Sequence, residues 1–160
     1  MRDVLSKKIV AFALSVSVVV VLLVLHTMGI TETGLRMGFQ TLSRNIVVDP
    51  TGAGYFVIQD SESWDQLFDS RRPVFLQEVD FSRDTVIAVF MGMFPTAGYS
   101  IDVSEIINTG LTIVVKVTKK YPDEGCLVGQ VITNPAHIVK TDKILKPILF
   151  RTSTCTIDCS

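Results

Sequence analysis

The residues that could do acid-base or nucleophilic chemistry are few. A hydrolytic centre needs a nucleophile, a base and an orienting acid, and the only histidines are His26 and His137. Serines and aspartates are plentiful, so a triad around His137 can be written on paper. No Gly-x-Ser-x-Gly elbow accompanies it, and the run around His137 reads as strand, so a solvent-facing or edge-strand histidine is the expectation. Zinc is unsupported, because two histidines and Cys126, Cys155 and Cys159 show neither Cys-x-x-Cys nor His-x-x-x-His spacing. Asp80, Asp84 and Asp102 fit no calcium loop. Asp80 and Asp84 flank a turn, where aspartate binds backbone N–H groups. The glycines are dispersed among turns, and none forms a phosphate cradle. No catalytic residue, metal or cofactor is expected. By elimination the chain reads as a binding or structural module, not an enzyme.

The cysteines suit an exported protein. A Cys155–Cys159 disulfide would close a very small loop and staple only the tail; the odd number leaves Cys126 free to pair with either of them or with another chain.

The segment MGMFPTAGYSIDV, Met91 to Val103, joins two strand-like runs by far more than a tight turn requires. Two readings stay open. Pro95 fixes φ, Gly98 turns the chain and Tyr99 packs its ring, making a rigid corner. Alternatively the same rigidity presents Phe94 and Thr96 outward, with Pro95 and Ala97, as a preorganised contact for a partner.

The elements that must position this loop follow from periodicity. Met37, Phe39 and Thr41 alternate as a strand, while Leu35, Phe39, Leu42 and Ile46 fit a helix nearly as well. Tyr55 to Ile58 is a short strand. In SESWDQLFDSRRP, Ser63 with Gln66 three residues on suggests a capping box, Trp64, Leu67 and Phe68 share a face, and Pro73 stops the helix. Trp64 and Phe68 should pack on a sheet. Thr85 to Met91 is apolar throughout, as in a strand covered on both faces. Tyr99 to Ile107 alternates, Asn108-Thr109-Gly110 turns, and Leu111 to Val117 alternates again, giving a hairpin. Gly129 to Thr133 reads as a further strand and His137 to Lys140 as a last one. Short turns and a single helix argue for an antiparallel sheet rolled into a barrel or sandwich, a mainly β, α+β class.

Ahead of this domain, residues 9–25 are apolar except for Ser15 and Ser17, roughly 25 Å of helix. No clear cleavage site follows, and Arg2, Lys7 and Lys8 precede the run. An uncleaved signal anchor with its amino end in the cytoplasm is therefore expected. The resulting division is a cytoplasmic 1–8, a membrane span at 9–28, a spacer at 29–34, a β domain at 35–146 and a tail at 147–160, with the domain outside the cytoplasm. Net charge is −1 with no basic cluster beyond the amino terminus, so nucleic acid is not an expected partner.

The ordered series SESWDQLF, VDFSRDTVIAVFMGMFPTAGYSIDV, the Asn-Thr-Gly hairpin into LTIVVKV, and VITNPAHIVK resembles the carboxyl-terminal domain of the protease complex subunit PrcB family. The carrying residues are Trp64, Val79-Asp80-Phe81, Gly92, Pro95 to Ile101, and Thr133 with Pro135. The resemblance runs roughly from Phe56 to Lys140. It departs at Ala97, where the family usually has a glycine. It implies a non-catalytic partner or stabiliser of a secreted, subtilisin-like protease. A looser similarity, the Pro-Thr-x-Gly-Tyr loop of chagasin-type cysteine protease inhibitors, implies an inhibitor acting through Pro95 to Tyr99. A structural envelope module is the third class.

Overall fold

The computed structural model describes residues 34–44, 52–68 and 79–159. The expected membrane span and Pro73 lie outside the described residues. Among the described residues no helix is long and apolar enough to cross a membrane.

Among the described residues eight strands and one helix follow in the order β1 (Leu35–Met37), β2 (Phe39–Arg44), β3 (Gly54–Ile58), α1 (Ser61–Phe68), β4 (Asp84–Phe90), β5 (Ser100–Asn108), β6 (Ile113–Pro122), β7 (Ala136–Asp142) and β8 (Ile148–Ile157). They form two four-stranded sheets, β1-β5-β6-β8 and β2-β7-β4-β3. The sandwich half of the sequence expectation therefore stands, and neither sheet closes into a barrel. One face of β4 (Ile87, Val89) meets Ile101, Val103, Ile106, Val115 and Val117 of the facing sheet. The other face (Val86, Ala88, Phe90) is covered by Trp64 and Phe68 of α1. This double cover explains why β4 shows no alternation. The Trp64 and Phe68 rings lie 4.3 Å apart, and both are buried.

Several local expectations are corrected. The helix begins at Ser61, and Asp60, not Ser63, caps it: the Asp60 carboxylate accepts the Ser63 N–H at 2.7 Å. The amino-terminal segment is strand, broken at Gly38 where the chain passes from one sheet to the other. Residues 129–133 form no strand, and their strand-type pairing is limited to the bridge of Thr133 to Phe94. The tail at 147–160 supplies β8, which runs parallel to β6 over ten paired positions, so the sandwich is not wholly antiparallel. The physical reason is the connection. β7 returns to the end where β6 begins, and 143–147 delivers the chain there, with the Ile113 N–H donating to the Pro147 carbonyl at 2.9 Å.

The hairpin forms as expected. β5 and β6 pair from Ser100↔Lys120 to Asn108↔Ile113, with one irregularity between Val103 and Glu105. Gly110 sits at φ +96°, and the Asn108 side chain accepts its N–H. The turn before β4 also forms as read: the Asp80 carboxylate accepts the Ser82 N–H and hydroxyl, and Asp84 accepts the Asp80 N–H.

Candidate protein-binding surface

The 91–99 loop leaves β4 where Gly92 adopts φ +94°. It is then held by a second loop, 126–135, through backbone hydrogen bonds. Phe94 and Thr133 exchange both of their N–H to carbonyl bonds at 2.8 and 2.9 Å, the Ala97 N–H donates to the Gly129 carbonyl at 2.9 Å, and the Met91 N–H donates to that of Pro135. The Thr133 hydroxyl donates to the Thr96 carbonyl at 2.8 Å. Gly98 is left-handed, φ +97°, and a Cβ there would lie 2.8 Å from Val128 Cγ1 and 3.2 Å from the Pro122 ring. The left-handed requirement thus falls on Gly98, while the Ala97 backbone is spent on the Gly129 bond.

Phe94 is not presented outward, which corrects one of the two sequence readings. Its ring stacks on Tyr99 with centroids 4.0 Å apart, and Tyr121 closes the group edge-on to both. These rings pack against the inter-sheet core, since a stacked aromatic pair gains more from each other and from the sheet end than from water. Thr96 and Ala97 are half-buried and Pro95 is exposed. The corner reading therefore describes Phe94, Gly98 and Tyr99, and of the four candidate contacts Pro95 alone stands open.

The apolar exposure that the contact reading sought lies beside the loop. Met93, Leu127, Val131 and Ile132 are all exposed. Ile132 and Thr133 line a cleft of about 230 Å³ with Ala97, Gly98, Tyr99, Asn134 and Pro135. The second loop is pinned by a disulfide between Cys126 and Cys159, Cα atoms 5.3 Å apart. Of the pairings the sequence left open, Cys126–Cys159 forms and the candidate Cys155–Cys159 bridge does not: Cys155 lies on β8, exposed and free. Cys126 meets Cys159 because the parallel pairing ends β8 beside the close of β6, where the Asp123 N–H donates to the Ile157 carbonyl. Val131 and Ile132 were missed because Gly129 to Thr133 reads as a strand, and Leu127 because it stands alone just before that run. The usable signal was an apolar stretch bracketed by a cysteine and Asn134-Pro135.

His137 is also corrected. It is fully buried on β7, an interior strand, not solvent-facing or at an edge. The Val103 N–H, from the opposite sheet, donates to Nδ1 at 2.9 Å, so Nδ1 carries no proton. Nε2 then bears the hydrogen and donates to the Thr41 hydroxyl at 2.9 Å. Asp102 Oδ1 lies 3.7 Å from Nδ1 and is engaged by Arg44. Burial first, then the Arg44 charge, depress the His137 pKa to about 4 against the opposing pull of Asp102. A neutral imidazole tying two sheets together is a structural pin. Among the described residues no group of His, Cys, Asp or Glu could hold a metal ion.

The model of the family described as PrcB C-terminal matches residues 85–142, β4 through β7, so the resemblance carried by the motifs holds over that segment. No curated protein and no solved structure matches the chain.

Proposed function

From the PrcB C-terminal character of residues 85–142, we propose that this chain is a membrane-anchored, extracytoplasmic, non-catalytic binding protein that accompanies and stabilises a secreted, subtilisin-like protease or another envelope protein. The observation that carries the reading is the pair of cross-bonded loops. They hold Met93, Pro95, Leu127, Val131 and Ile132 exposed on a backbone already fixed by hydrogen bonds and a disulfide. Such a patch gives up little entropy on docking, and its apolar side chains gain by leaving water.

The test is recovery of the partner. Full-length protein extracted from its own membrane in mild detergent should bring down an exported protease in stoichiometric amount. The double substitution Leu127→Glu and Ile132→Glu should leave the melting temperature within about 3 °C, as for surface changes, and weaken capture by roughly thirtyfold, as for charges desolvated in an interface. Unchanged capture would remove the loops from the binding surface. A recovered protease that is inactive until the complex dissociates would favour the inhibitor reading.

A further inference from the structure

At the opposite end of the strands a second group of leucines stands clear of the core. Leu35, Leu111 and Leu145 are 77%, 86% and 88% exposed. All three are gathered around Asn108. Its backbone pairs with Leu35 and with Ile113, closing the turn that carries Leu111. Its side-chain oxygen accepts the Lys146 ammonium at 2.9 Å, next to Leu145. The two turns are braced: Thr109 bonds Thr112 through backbone and hydroxyl, and buried Ile144 donates its N–H to Thr85. One exposed leucine is ordinary, but three on rigid tips at one end form a patch.

What lies against this end follows from where the chain arrives. The described domain begins at Gly34, whose position is packed on Ile107 and Asn108, so the chain enters at the leucine end. Residues 29–33 separate Gly34 from the expected membrane span at 9–28, whose apolar run ends at Leu25, a tether of at most about 18 Å when fully extended. We propose that this end of the domain rests on the bilayer, with Leu35, Leu111 and Leu145 in its interfacial layer. The proposal rests on the anchored reading given above. Both signs of charge lie near the tips, Arg36, Arg83, Lys116, Lys143 and Lys146 against Asp80, Asp84, Glu105 and Asp142, with Glu105 already paired to Arg36 at 2.8 Å and to Lys116 at 2.9 Å. The attachment is therefore apolar and does not require anionic lipid. It leaves the loops of the binding surface at the far end, pointing away from the membrane.

The test uses the full chain carrying Cys155→Ser, which removes the one free thiol among the described residues. A single free thiol, beside the intact Cys126–Cys159 disulfide, is then placed by Leu111→Cys, by Leu145→Cys or, as the control at the far end, by Leu127→Cys. Each protein is labelled with an environment-sensitive fluorophore and reconstituted into phosphatidylcholine vesicles, with iodide on both sides. Labels at 111 and 145 should be quenched by lipid-borne nitroxide about threefold or more beyond the label at 127. They should be correspondingly shielded from iodide, and phosphatidylglycerol should change neither result. Labels at 111 and 145 as open to iodide as the label at 127, in vesicles that retain the protein through an alkaline wash, would overturn this proposal alone. Loss of the protein in that wash would overturn the anchored reading and this proposal with it. Shielding from iodide without nitroxide quenching, and lost on dilution, would assign the patch to a second copy of the chain and overturn the lipid assignment.

Discussion

His137 shows how a single side chain couples the two sheets to pH. Its folded pKa lies near 4, below the ordinary 6.5. The neutral ring is the form the fold stabilises, because a proton on Nδ1 would face the Val103 N–H. The stability it contributes is therefore present above about pH 6.5 and lost as pH falls toward 4. Stability should drop by about 2 kcal/mol between pH 7 and pH 5. Asp60, Asp80 and Glu105, whose pKa values are lowered by hydrogen bonds to Ser63, Ser82 and Lys116 respectively, act in the same sense but at lower pH. Each favours the fold above its ordinary value and withdraws that contribution only as pH falls below it, so the interval between pH 7 and 5 reports chiefly on His137. Urea unfolding at the two pH values should show the drop in the native chain and its absence in His137→Gln. An equal drop in both would exclude the ring as its source. Gly98 gives a second test at this scale. Gly98→Ala meets both a left-handed backbone and the Val128 methyl, and should cost about 1–3 kcal/mol. A loss below about half a kcal/mol in the same unfolding assay would mean that the loop relaxes freely around the new methyl.

Among the elements, β8 depends on its partners more than on its own pattern. Its residues from Arg151 to Thr156 are exposed, so it gains little from burial. It is held by the ladder to β6, by Tyr55 bonding Thr152 and stacking near Phe150, and by the disulfide at its end. The bridge spans 33 residues, a loop for which chain entropy gives about 3–4 kcal/mol. Cys126→Ser should lower stability by about that amount and open the 126–135 loop first, which hydrogen exchange at Ala97 and Thr133 would report. Protection at those amides equal to that of the native chain would show that the loop bonds stand without the disulfide. The same substitution tests the binding surface, because Leu127, Val131 and Ile132 lie on the loop it releases.

For the whole molecule, the strands carry two different ends. One presents the cross-bonded loops with Met93, Leu127, Val131 and Ile132. The other receives the chain at Gly34 and presents Leu35, Leu111 and Leu145. A reporter fused after Ser160 should be active only outside the cytoplasm, and the protein should fractionate with membranes. A shortened, soluble product beginning near Ile30 would instead identify residues 9–25 as the core of a cleaved signal peptide.

Local pattern in the sequence carried the elements whose stability is local or whose burial is periodic. The β5–β6 hairpin was legible in Asn108-Thr109-Gly110 between alternating runs, α1 in the face shared by Trp64 and Phe68, and β4 in an uninterrupted apolar run. The corner was legible in Pro95 and Gly98. Tertiary structure decided what depends on chain segments meeting from far apart. β8 has too few buried residues to announce itself, and its parallel pairing comes from the path of β7 and the 143–147 crossing. The pairing of Cys126 with Cys159 follows from that placement, because a disulfide forms between cysteines brought within reach and not between those nearest in sequence. His137 became interior because β2 and β4 pair on either side of β7. Phe94 turned inward because Tyr99 and Tyr121 were waiting at the sheet end, which left the exposed apolar surface to a loop whose residues, read alone, look like a strand.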